Sequence, residues 1–127
     1  MDTTAVANKL VEYCEQGKNV EAIEELYSDD IVSVESAAAP GMDQEARGKA
    51  AIKGKNEWWY GAHEIHNLGV KGPYLVAGSD QFAVIFSIDV TNKESGQRWD
   101  GDEVALYTVA DGKIVKEEFF AQPMPMG

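Results

Sequence analysis

The sequence has little cysteine, few basic side chains and no long apolar run. Its one cysteine, Cys14, cannot form an intrachain disulfide, so packing must hold the fold and nothing points to an oxidising compartment. Eleven lysines and arginines stand against 22 acidic residues, a net charge of -11. Such a molecule repels phosphate backbones and anionic lipid at long range, so neither nucleic acid nor a membrane is an expected partner. The longest aliphatic or aromatic run, residues 82–86, is far short of the roughly 20 apolar residues of a membrane-spanning helix. The N-terminus, MDTTAVANKL, has no basic cluster before an apolar stretch, so an untargeted, cytoplasmic protein is expected.

What is present suits a single domain over residues 1–127: 44% of the side chains are apolar, enough for a core without staples or metals. Val6, Leu10 and Cys14 recur every four residues, which predicts a helix that starts after Thr3 or Thr4 and stops at Gly17. Asn19 is the expected N-cap of a second helix carrying Ile23, Leu26 and Tyr27 on one face. Residues 31–35 read as a strand, and residues 36–47, with Pro40 and Gly41, as a long loop able to act as a lid. Helical spacing returns over residues 48–60, placing Ala51 and Ile52 toward the core. Trp58 is expected in the core, and Trp59 at a pocket wall or subunit contact.

Strand grammar follows, at residues 64–71, 74–77, 81–91, 98–109 and 113–121. Asp111-Gly112 is a two-residue hairpin signal. This order predicts an α+β domain in which a curved antiparallel sheet holds three N-terminal helices on one face. Phe82, Val84, Phe86, Ile88 and Val90 share the side expected to face the helices. An unbulged hairpin leaves Tyr107, Val109, Ile114, Phe120 and Ile85 on the reverse side, and covering them calls for a homodimer packed through the outer sheet face.

The segments VEAIEELYSDDIVSVES, GKAAIKGKNEWW and DEVALYTVADGKIVKEEFF, in this order and spacing, resemble the nuclear-transport-factor-2-like superfamily. Within it they are similar to the SnoaL-like and ketosteroid-isomerase-like group. The resemblance implies a cone-shaped α+β barrel, usually dimeric, with an apolar pocket between sheet and helices. It does not select a reaction, since the group includes isomerases, cyclases, dehydratases and epoxide hydrolases. The isomerase pattern places its proton-shuttling Asp at Ser36, its oxyanion-binding Tyr near Val11 and a second carboxyl near Ala105 or Leu106; none of these side chains can do that work. Where SnoaL-like cyclases end in Ile-Val-Glu-His-Trp-Asp, this chain has Glu117 at the His and Phe119 at the Asp. Asn56 falls where the isomerase pattern has a supporting Tyr.

Glu117 is the first candidate for chemistry. In the unbulged register it shares a face with Val104, Leu106, Val115 and Phe119. Desolvation there would raise its pKa and make it a general acid or base near neutrality; the competing reading is a strand carboxylate that reaches water or pairs with a cation. His66, alternating with Leu68 and Val70, is the second candidate. The spacing in HEIH sends His63 and His66 to opposite faces of a strand, so no metal site is expected, and WDGDE lacks the rest of a calcium loop. No cofactor is expected. Arg47, Lys49, Lys53 and Lys55 read as a solvated face, or else as a seat for a small anion. Asn56, Trp59, Phe86 and Phe119 are the expected binding residues for a small apolar or carbonyl-containing ligand. Two functions stay open: a proton-transfer enzyme of the isomerase, cyclase or hydratase/dehydratase type, and a non-catalytic ligand-binding or interaction module.

Overall fold

The computed structural model describes residues 1–36 and 44–121. Over these residues the chain runs α1 (Thr3–Glu15), α2 (Asn19–Leu26), β1 (Tyr27–Val34), β2 (Glu45–Arg47), α3 (Lys49–Ala62), β3 (His63–Tyr74), β4 (Gln81–Asn92), β5 (Arg98–Ala110) and β6 (Lys113–Ala121). The expected α+β architecture is the one observed. One curved sheet has the order β2-β1-β6-β5-β4-β3, with β1 and β6 parallel and every other pair antiparallel.

The helices sit on the sheet face that the β4 alternation predicts. Val6, Leu10 and Val11 of α1 and Ala22, Ile23 and Leu26 of α2 are buried, in one core cluster with Phe82 and Val84 of β4. Asp2 caps α1, its side chain accepting from the Ala5 amide at 2.8 Å. Asn19 does not cap α2: its side-chain amide donates to the Tyr60 hydroxyl at 2.5 Å, which ties α2 to α3. In α3, Ile52 is buried, whereas Ala51 and Trp58 are exposed, Trp58 at 48%. The expectation that Trp58 fills the core is therefore corrected.

Part of the expected loop over residues 36–47 is β2, which joins the sheet edge by pairing with Val32, Ser33 and Val34 of β1. Glu45-Ala46-Arg47 has no strand pattern of its own, so tertiary pairing decides its state. The lid expected there falls mainly on residues 37–43, outside the described residues. Residues 74–77 are not a separate strand, because β3 continues unbroken through Tyr74.

Two bulges set which side chains face inward. Asp111 and Gly112 take the positive φ values, 51° and 76°, that the two-residue hairpin requires, and Val109 pairs with Ile114 as expected. Thr108 then pairs with Lys116, so Val115 is an extra residue and Tyr107 faces Glu117 rather than Lys116. The bulge brings Ile114 and Glu117 onto the same face. Tyr107, Val109 and Ile114, expected on the reverse side, are buried in the core because Tyr107 pairs with the inward-facing Phe82 and Val109 with Ile114, and the Phe82 and Tyr107 rings stack 4.9 Å apart. In β3, Ile65 pairs with Val90 but Asn67 with Asp89, leaving His66 as the extra residue.

Candidate functional site

Between helices and sheet lies a cavity of about 780 Å³. Helix α3 presents Ile52, Lys55, Asn56 and Trp59 to it, the i, i+3, i+4, i+7 stripe of one helix face. Strands β4, β5 and β6 contribute alternate side chains, among them Phe86, Glu103, Tyr107, Glu117 and Phe119. Five of the six residues expected from sequence, Glu117, Asn56, Trp59, Phe86 and Phe119, thus meet around one hollow. His66 does not. It is exposed, with Nε2 2.7 Å from the Thr91 hydroxyl, and Thr91 alternates with Val90, which lines the cavity. The bulge in β3 breaks the alternation that placed His66 with Leu68 and Val70. His63 lines the cavity instead, its Nδ1 2.8 Å from the Trp59 carbonyl and its ring 4.9 Å from that of Trp59.

Glu117 is 3% exposed. Its neighbours across the two flanking strands are Ser33 on β1 and Tyr107 on β5. The Tyr27 hydroxyl, delivered by the abrupt passage from α2 into β1, donates to Glu117 Oε2 at 2.5 Å. Burial pushes the Glu117 pKa up; the donors Tyr27 and Ser33 and the Lys55 ammonium oppose that shift, and Glu35 adds to it. Lys55 donates to Ser33 Oγ at 2.6 Å, forms an ion pair with Glu35 at 2.5 Å, and lies 5.4 Å from the centre of the Phe119 ring.

A second carboxyl was missed at the sequence level. Glu103 lines the same cavity, and its pKa is pushed up to about 7, first by burial and then by Glu35, with Glu117 adding a smaller push and Lys55 opposing. Its signal was parity: Glu103, Ala105, Tyr107 and Val109 alternate along β5, and assigning Tyr107 to the inner face carries Glu103 with it. Burial raises the Tyr27 and Tyr107 phenols well above their ordinary value. It also pushes the Cys14 thiol up to about 12, so this cavity-lining cysteine is not a thiolate nucleophile near neutrality.

The basic residues near α3 are each committed to a carboxylate: Arg47 to Glu45, Lys49 to Asp29, Lys53 to Glu24 and Lys55 to Glu35. Among the described residues, no group of three or more His, Cys, Asp or Glu side chains is placed to hold a metal ion. The cavity therefore offers two carboxyls of raised pKa, phenolic donors and an aromatic wall. That is equipment for binding a small molecule and moving protons on it.

The family model of the SnoaL-like domain matches residues 1–121. This chain belongs to the SnoaL-like domain family. Among solved structures, a candidate SnoaL-like polyketide cyclase from Mesorhizobium loti, whose description also carries the words carbohydrate phosphatase, is 42% identical with a TM-score of 0.86. That match covers 94% of this chain and 99% of that one. A candidate SnoaL-like polyketide cyclase from Jannaschia sp. CCS1 is 16% identical, TM-score 0.70, covering 94% and 84%. A nuclear-transport-factor-2-like protein from Burkholderia xenovorans LB400 is 16% identical, TM-score 0.72, covering 94% and 88%. These last two likenesses are of fold. No curated protein matches the chain. Among the described residues, no helix of this SnoaL-like protein is long and apolar enough to cross a membrane.

The raised carboxyls give the stability of this SnoaL-like domain a defined pH dependence. Unfolded, Glu103 titrates near the ordinary value of about 4.3; folded, it titrates at about 7. Between those values the folded state holds the extra proton, so stability falls as pH rises through that window, and Glu117 acts in the same sense. Glu103→Gln removes this loss. From about pH 5 to about pH 8 the variant should gain about 1–2 kcal/mol over wild type, allowing for residual solvent around the carboxyl. Urea unfolding across that range checks it, and a constant difference between the two proteins would contradict the assignment.

Proposed function

We propose that this SnoaL-like protein binds a small, largely apolar, carbonyl-containing molecule in the cavity and transfers protons on it, as an isomerase, cyclase or hydratase/dehydratase does. The observation that carries this reading is Glu117: a carboxyl almost wholly withdrawn from water, facing a cavity of about 780 Å³, with a phenol donating to it. A proton kept by desolvation is available to a substrate oxygen, and Tyr27 and Ser33 are already placed to stabilise the carboxylate left behind. Trp59, Phe86 and Phe119 supply apolar wall and Asn56 a polar contact. The polyketide-cyclase description of the Mesorhizobium loti relative agrees in reaction class.

The expected test is a panel of lipophilic ketones, lactones and epoxides, followed by calorimetry for binding and by NMR for turnover. Wild type should convert at least one compound. Glu117→Gln should retain binding while turnover falls by about 100- to 10,000-fold. Binding without turnover by wild type would favour the second reading, a non-catalytic ligand-binding module. That reading draws support from two positions: Val11 is buried in the core and Ser36 is exposed just beyond β1, so neither places a functional group where the isomerase pattern has one.

The reading includes a homodimer through the outer sheet face, on a smaller residue set than the sequence suggested. Ile85 pairs with Val104 and Val104 with Phe120, an apolar row across β4, β5 and β6; Val104 and Phe120 are exposed, Phe120 at 54%. A second copy of the same row is self-complementary cover for it. Sedimentation at micromolar concentration should find a dimer that Phe120→Glu converts to monomer, and a monomeric wild type would refute this part.

A further inference from the structure

Among the charged groups of the cavity, Lys55 is engaged by Glu35 and Ser33, and Glu117 by Tyr27. Glu103 is not engaged in this way. Among the described residues it accepts no hydrogen bond and forms no ion pair, although it points into the same hollow. On β5 it lies four residues from Tyr107, the residue paired with Glu117. At about 3.3 Å per residue, the two carboxyls spring from backbone positions roughly 13 Å apart along the sheet, and both line the cavity together with Trp59 of α3. Two acids so placed address different atoms of one bound molecule.

We propose that Glu103 is the second reacting group of this cavity, removing a proton from a carbon adjacent to the substrate carbonyl while Glu117 delivers a proton to a substrate oxygen. This rests on the proton-transfer reading above and narrows it to enolisation and to elimination of water from a β-hydroxy carbonyl compound. In enolisation the carbon–hydrogen bond breaks, its electrons form the carbon–carbon double bond, and the carbonyl oxygen takes the proton of Glu117. In elimination the same electrons expel the β-hydroxyl, which leaves as water with the proton of Glu117. Either way Glu103 ends protonated and Glu117 ionised, and exchange with solvent restores both.

The unequal surroundings of the two carboxyls fit this division of labour. Glu117 is enclosed by β1, β5 and β6, and burial raises its pKa. Glu103 meets Glu35 from just beyond β1, Lys55 from α3, Glu117 from β6 and Tyr107 from its own strand, while its β4 partner is the uncharged Phe86. With a pKa of about 7, its carboxylate is well populated near neutrality and still basic enough to work.

The test follows hydrogen–deuterium exchange at the carbons beside the carbonyl of 2-tetralone in D2O by proton NMR, with wild type, Glu103→Gln, Glu103→Asp and Glu117→Gln compared from about pH 5 to about pH 9. Wild type should accelerate exchange, with a rate that rises through about pH 7. Glu103→Gln should lower the rate about 100-fold or more and abolish that rise. Glu103→Asp, a base of shorter reach, should recover part of it. Glu117→Gln should be slower than wild type yet keep the rise. Because Glu103→Gln removes a desolvated acid, it should fold at least as stably as wild type, which separates loss of exchange from loss of structure. If Glu103→Gln exchanges at the wild-type rate with the wild-type pH profile while Glu117→Gln does not, the inference about Glu103 fails and the proton-transfer reading survives. No acceleration by wild type would overturn both.

Discussion

A carboxyl group removed from water raises its own energy unless it keeps its proton, and this molecule removes Glu117 almost completely. The rest of the cavity answers that constraint. Tyr27 and Ser33 direct hydroxyl groups at the carboxyl, and the Lys55 ammonium stands nearby, tethered by Glu35 rather than spent on Glu117 itself. Desolvation outweighs these opposing influences, so the protonated form is favoured more than in an ordinary carboxyl. A direct Lys55–Glu117 ion pair would instead have favoured the carboxylate and left a buried salt bridge with no proton to move.

The placement depends on a single additional residue in the sheet. Val115 bulges from β6, so Tyr107, Val109 and Ile114 share the inner face with Glu117 and Phe119. Because strand side chains alternate with a period of two, one inserted residue exchanges the whole inner and outer sets beyond it. The same rule operates in β3, where the bulge at His66 moves that ring outward and leaves Leu68 and Val70 facing inward. The positions that line the cavity are thus decided by register more than by residue type.

That explains which features were readable in the sequence. Helix periodicity in α1 and α3, the β4 alternation and the Asp111-Gly112 turn are local signals, and they placed Leu10, Ile52, Phe86 and the last hairpin where they lie. Glu117 was found because it interrupts an apolar strand, although of the four neighbours expected for it only Phe119 shares its face. Glu103 was missed because Tyr107, with which it alternates along β5, was expected on the reverse face. Tyr27 and Lys55 were missed for a different reason. Their importance comes from pairings between distant segments: a parallel contact of β1 with β6, and a helix laid over both. Nothing in the local composition of the α3 lysines records those contacts. His66 was misplaced because bulges have no fixed residue signature.

The central claim is that burial raises the Glu117 pKa above the ordinary carboxylate value while the group faces a ligand-sized hollow. A carbon-13 NMR titration of the glutamate side-chain carboxyls, with the Glu117 resonance assigned by its disappearance in Glu117→Gln, measures this in the intact protein. The account predicts a midpoint for Glu117 clearly above the ordinary value of about 4.3, moving upward again when Lys55 is replaced by Met. A midpoint at or below that ordinary value would contradict it.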